Sequence, residues 1–69
     1  MFFVIAKYTS KYGLIVYAAK VSNEENLDIN FENVYIHTLY FKGSQEIKIN
    51  EVYKFQTLKG ENGLNYAFL

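Results

Sequence analysis

The chain has no cysteine, no proline, no tryptophan, no arginine and a single histidine, and each absence removes a class of explanation. Without cysteine there is no disulfide framework, and with one histidine there is no His/Cys cage for a structural metal, so apolar packing alone must hold the fold. The same shortage leaves catalysis little to work with. Ser10, Ser22 and Ser44 are the only serines, none has a credible base beside it, and a nucleophile without a base is weak. The sequence therefore predicts no catalytic residues, no cofactor and no enzyme activity. Without arginine, bidentate contacts to phosphate or guanine are excluded. The longest apolar runs, Met1–Ala6 and Leu14–Ala19, are six residues each, far below the roughly 20 needed for a membrane-spanning helix. No basic region, long apolar stretch and cleavage site mark the N-terminus as a secretory signal. The expectation is a soluble, cytoplasmic protein.

What remains is a short chain rich in rings. In 69 residues there are seven Tyr and six Phe, with 51% hydrophobic residues overall. A chain of this length supports one core and one domain, residues 1–69. Aromatic side chains, burying roughly 150–250 Å² each, are its main packing resource. So high an apolar fraction in so short a chain leaves homodimerisation open. Seven Lys balance seven acids, but unevenly along the chain. Residues 1–20 carry Lys7, Lys11 and Lys20 with no acid, whereas residues 21–41 carry Glu24, Glu25, Asp28 and Glu32 with no Lys. A local lysine patch is thus available although no net field draws polyanions. The acidic stretch Glu24-Glu25-Asn26-Leu27-Asp28 lacks the spacing and central glycine of a calcium loop. It reads as solvated.

The patterning is that of strands. Phe2–Tyr8 and Leu14–Val21 flank a turn at Thr9–Gly13 and read as a hairpin. The stretch from Ser22 to Asn33 reads as a loop, a short helical turn or an extra strand. Ile29–Phe41 alternates, with Phe31, Tyr35, His37, Leu39 and Phe41 on one face and Val34, Ile36 and Tyr40 on the other. Glu46–Leu58 changes parity near Asn50-Glu51, which predicts a bend or bulge. Lys59–Gly63 is the clearest hairpin turn, and Leu64–Leu69 forms the last strand. No apolar stretch keeps a 3.6-residue period, so the fold class is all-β: a small five-stranded OB-like barrel, with an SH3-like barrel as the alternative.

The second half of the chain resembles a cold-shock domain, an OB-type barrel that binds single-stranded RNA and DNA. Val34-Tyr35-Ile36-His37 is similar to that family's V-F-V-H motif. Ile47, Asn50, Tyr53, Phe55, Gly60 and Gly63 fall at the spacings of its L-x-x-G-x-x-V-x-F-x-x-x-x-G-x-x-G run. Lys11-Tyr12-Gly13-Leu14-Ile15 is similar to the end of its K-G-F-G-F-I motif. The chain departs from the family in a longer stretch between Ile15 and Val34, no tryptophan, Leu14 in place of an aromatic and Asn50 in place of a glycine.

The resemblance implies roles residue by residue. Tyr35 becomes a stacking platform, His37 a stacking and hydrogen-bonding partner and Tyr12 the ring of the neighbouring strand. Tyr8 adds a fourth ring, and Lys7 and Lys11 contact phosphates. This requires Tyr35 and His37 to face solvent while Val34 and Ile36 face the core. The competing expectation is a protein-interaction module of viral or mobile-element origin, a regulator or inhibitor of a larger protein or complex. Zero net charge, the acidic segment and the missing tryptophan favour it, since aromatic rings also anchor protein interfaces. His37 as a metal ligand finds no second ligand, and no metal site is predicted.

Overall fold

The computed structural model describes residues 1–22, 32–43 and 45–69. The acidic stretch around Glu24 and the expected start of the third strand at Ile29 lie outside the described residues. Among the described residues the fold is all-β, without helix. It comprises β1 (Phe2–Ser10), β2 (Gly13–Lys20), β3 (Ile36–Phe41), β4 (Val52–Tyr53), β5 (Gln56–Lys59) and β6 (Asn65–Phe68). These form one six-stranded sheet in the order β4-β1-β2-β3-β6-β5, curled into an open half-barrel. All neighbours are antiparallel except β3 and β6. Among the described residues no helix is long and apolar enough to cross a membrane.

The β1–β2 hairpin forms where the two β-branched and aromatic runs predict it. Its ladder runs from Phe2 opposite Lys20 to Ser10 opposite Gly13, with a bulge between Val4 and Ala6. The bulge changes which residues of β1 face inward. Phe2 and Val4 are buried before it, whereas Lys7, opposite the buried Val16, takes the inward side after it.

The expected fourth strand, Glu46–Leu58, is divided. The bend at Asn50-Glu51 is present: Asn50 has a φ of 64°, a left-handed conformation that asparagine adopts more readily than most residues. The Asn50 and Glu51 peptides both bond to Val4, the Asn50 N–H donating to its carbonyl at 2.8 Å and its N–H donating to the Glu51 carbonyl at 3.0 Å. A second break falls at Lys54-Phe55, where the Phe55 ring turns into the core. The result is two short strands at opposite edges of the sheet, two residues apart in the chain. Among the described residues the sheet thus has six strands and is open, where the sequence pattern predicts five strands of a barrel.

The core lies on the concave face. Leu14, Val16 and Ala18 of β2 and Leu39 and Phe41 of β3 point into it, with Phe2, Val4 and Ala67 from the flanking strands. Ile47 and Phe55 fill it from the segment that crosses the open side. Ile47 is fully buried, and the Lys7 ammonium donates to its carbonyl at 2.8 Å. Phe55 packs edge-on against Phe41 at 5.0 Å between ring centroids and stacks on Tyr53 at 5.2 Å.

The inward face of β3 is the one bearing Leu39 and Phe41, which are 1% and 2% exposed, while Ile36 is 40% exposed. The sequence reading placed Ile36 inward and His37 outward; the structure reverses this. Burying Leu39 and Phe41 stabilises by about 1.5–3 kcal/mol each. The opposite choice would bury the hydroxyls of Thr38 and Tyr40 and leave Phe41 in water.

Because Ile47 is the largest aliphatic plug on the open side, Ile47→Ala is expected to destabilise the fold by about 2–4 kcal/mol. Urea unfolding should show a lower midpoint with the slope unchanged. An unaltered midpoint would contradict the assignment of Ile47 to the core.

Candidate functional site

Among the described residues, the convex face of the sheet is the surface that the core does not take up. In one row across five strands, Tyr8 lies opposite Ile15, Ile15 opposite Tyr40, Tyr40 opposite Tyr66 and Tyr66 opposite Leu58. Every member has the outward parity, and none carries a charge. Tyr8 and Leu58, at the two ends, are 61% and 63% exposed.

At one end of the strands this row opens into two adjoining grooves of about 490 Å³ each, which share Tyr40, Lys42 and Tyr66. One is bounded by Tyr12 at the β1–β2 tip and by Leu64; it has no acidic residue in its lining. The other is bounded by Leu58, Phe68 and the β5–β6 turn, with Glu61 at its margin. The Tyr40 and Tyr66 rings are 6.3 Å apart and inclined by 54°. The Lys42 Nζ stands 5.1 Å from the Tyr66 ring centre, and the Lys11 Nζ stands 5.0 Å from that of Tyr12. Two ammonium groups thus lie over two rings, an arrangement worth about 0.5–1 kcal/mol each at exposed sites.

The β5–β6 turn holds Tyr66 in place. The Gly63 N–H donates to the Gly60 carbonyl at 3.0 Å, and Gly63, with φ of 84°, supplies the left-handed residue that ends the turn. Asn62 Nδ2 donates to the Tyr66 hydroxyl at 2.9 Å, while its Oδ1 accepts from the Leu64 N–H at 3.0 Å. The Tyr66 ring lies over Gly60 so closely that a Cβ there would meet it at 2.7 Å. The glycines at this turn serve the ring as well as the backbone.

The residues singled out from sequence fall into separate places. Tyr12, which is 80% exposed, borders one groove from the β1–β2 tip, Lys11 stands over its ring outside the groove lining, and Tyr8 belongs to the outer row. Lys7 lies on the concave side, its ammonium held by Ile47. Tyr35 and His37 are at the other end of the sheet. His37 is opposite Ala18, five residues along β2 from Gly13, a separation of about 16 Å at the rise of a strand. Tyr35 is 74% exposed, but His37 shares the inward parity of Leu39 and is half-buried. Its ring packs edge-on against Phe2 at 5.6 Å and against Tyr35 at 4.7 Å. The single four-ring platform expected from the motif is therefore not assembled.

Tyr40, Lys42 and Tyr66 were not singled out from sequence. The signal for Tyr40 was present, because a tyrosine alternating with Leu39 and Phe41 carries the hydroxyl that belongs in water. Tyr66 meets Tyr40 only through the parallel β3–β6 pairing, a contact between residues distant in the chain. Among the described residues no group of three His, Cys, Asp or Glu side chains could hold a metal ion. No family model, no curated protein and no solved structure matches the chain.

Burial lowers the His37 pKa below its ordinary 6.5, and the Lys20 ammonium adds to the shift. The unfolded chain therefore takes up the proton first, so this contribution to stability is complete above pH 6.5 and is lost as pH falls through the lowered value. The His37 ring resonances are expected to titrate with a midpoint below 6.5. Unfolding free energy should decline over the same range in the wild type and less so in His37→Phe. A midpoint above 6.5 would contradict the packed position of the ring.

Proposed function

We propose that this protein binds single-stranded nucleic acid along the Tyr12–Tyr40–Tyr66 groove, as a binding domain without catalytic activity. We infer further that β4 and β5 are two halves of one bent strand. On that reading the sheet has the organisation of a five-stranded OB-like barrel, in which the faces of the second and third strands and the two neighbouring hairpin loops take oligonucleotides. The grooves lie at the corresponding place, between the β1–β2 tip, the end of β3 and the β5–β6 turn.

The observation that carries the reading is the combination of Tyr12, Tyr40 and Tyr66 with the Lys11 and Lys42 ammonium groups standing over two of those rings. Single-strand binders use rings on which successive bases stack, flanked by cations that follow the phosphates. Stacking does not depend on base identity, which suits a chain without arginine for reading guanine. The zero net charge limits the long-range attraction, so affinity rests on stacking more than on field. Tyr8 extends the surface along β1. Tyr35 and His37, which the cold-shock resemblance made central, stand at the far end and contribute less.

Fluorescence anisotropy with labelled oligo(dT) and oligo(U) tests this. Tyr12→Ala and Tyr66→Ala are each expected to weaken binding at least fivefold, since stacking is worth about 1–3 kcal/mol per base. Two lysine contacts should give a slope of about −1.4 for log affinity against log salt. Absence of binding at low salt would overturn the reading. Undiminished binding by Tyr12→Ala and Tyr66→Ala together with loss in Tyr35→Ala would move the site to the other end of the sheet.

A further inference from the structure

The strand β5 is an edge: it pairs with β6 and with no other described strand, and all four of its residues are exposed. The phase of its hydrogen bonds can be read from the turn. The Gly60 N–H donates to the Leu64 carbonyl at 2.8 Å, so Gly60 and Leu64 form a hydrogen-bonded pair in the same register as Leu58 opposite Tyr66. Hydrogen-bonded and non-hydrogen-bonded pairs alternate along an antiparallel ladder. Gln56 and Leu58 therefore spend their peptide groups on β6, whereas Thr57 and Lys59 direct theirs outward from the edge.

That phase is self-complementary. A twofold axis perpendicular to the sheet at Leu58 sets Leu58 opposite the second copy's Leu58 in a non-hydrogen-bonded pair. It also sets Thr57 opposite the second copy's Lys59, on both sides of the axis, in hydrogen-bonded pairs. The outward N–H and C=O groups of Thr57 and Lys59 then all find partners. Lys59 faces a threonine, so no like charges meet directly. Leu58 is 63% exposed and belongs to the convex row next to Tyr66, while Phe68, on the same side of β6, is 44% exposed. An edge of this kind, without proline and bordered by exposed apolar side chains, is a template for pairing with another chain.

We propose that two copies of this chain associate through antiparallel pairing of β5 with β5, with Leu58 on the twofold axis. The pairing continues the outer row of Tyr8, Ile15, Tyr40, Tyr66 and Leu58 through the axis into the same row of the second copy. It brings the two Leu58-bounded grooves side by side. Association of this kind needs no ligand and does not depend on nucleic-acid binding.

Sedimentation equilibrium across micromolar to millimolar protein is expected to show a mass rising from 8.1 kDa toward twice that value. Thr57→Pro removes an outward N–H and no bond to β6. It should weaken association at least tenfold while leaving the circular dichroism of the monomer unchanged. The chain has no native cysteine, so engineered cross-links are unambiguous. Opposed residues of a non-hydrogen-bonded pair lie with Cα atoms about 4.5 Å apart, within disulfide reach. Leu58→Cys should therefore form a disulfide dimer on oxidation. Gln56→Cys should not, its second-copy counterpart lying four residues away along the strand, about 13 Å. A wild type that stays monomeric at millimolar concentration overturns the proposal and leaves the edge to a strand of some other protein. A dimer unaffected by Thr57→Pro, or equal cross-linking by the two cysteine variants, overturns it as well.

Discussion

A curled sheet leaves its concave face to be filled, and in this protein Ile47 and Phe55, from the segment before and between β4 and β5, help to fill it. Everything about residues 45–59 follows from that demand. To bring Ile47 inside and then pair with β1, the chain must turn at Asn50, which accepts a left-handed backbone. To bring Phe55 inside against Phe41 and Phe2, it must leave β1 after Tyr53 and rejoin the sheet at β6. Two short strands result where alternation alone would draw one. Lys7 adapts to the same segment: the bulge in β1 turns its side chain inward, and its ammonium caps the Ile47 carbonyl.

The choice of core face also decides what the outside offers. With Leu39 and Phe41 inward, Tyr40 is outward, and the pairings with β2 and β6 align it with Ile15 and Tyr66. Tyrosine suits that position because its ring covers the sheet while its hydroxyl stays in water. The strands carry no charge along this row, so lysines reach the surface only from the ends, Lys11 at one hairpin tip and Lys42 after β3. A balanced chain thereby acquires a local pairing of rings and ammonium groups that its net charge does not advertise. The edge at β5 borders the same surface, so the proposed ligand binding and the proposed self-association would share one face of the molecule.

Much of the fold was legible along the chain. The runs Phe2–Tyr8 and Leu14–Val21, the turn between them, the bend at Asn50-Glu51 and the turn at Gly60–Gly63 are all local signals. Each depends on the conformational preferences of a few adjacent residues, and each is present in the structure. Of the residues that the cold-shock resemblance singles out, Tyr8, Lys11 and Tyr12 are exposed on β1 and its tip. His37 misled because alternation assigns residues to two faces without saying which face is buried. Borrowing that choice from a four-residue motif put Ile36 inside and His37 outside, against the larger apolar gain from Leu39 and Phe41.

By itself the sequence determined an all-β chain without disulfides or arginine, packed by its aliphatic and aromatic side chains and turning at asparagine and glycine. Those properties are set by side-chain chemistry and by neighbours within a few residues. Tertiary structure alone decided which face of β3 is inward, that Tyr66 stands beside Tyr40, and that β5 lies at the edge of the described sheet. These are outcomes of competition between distant segments for one small core and one sheet, and no local preference encodes them.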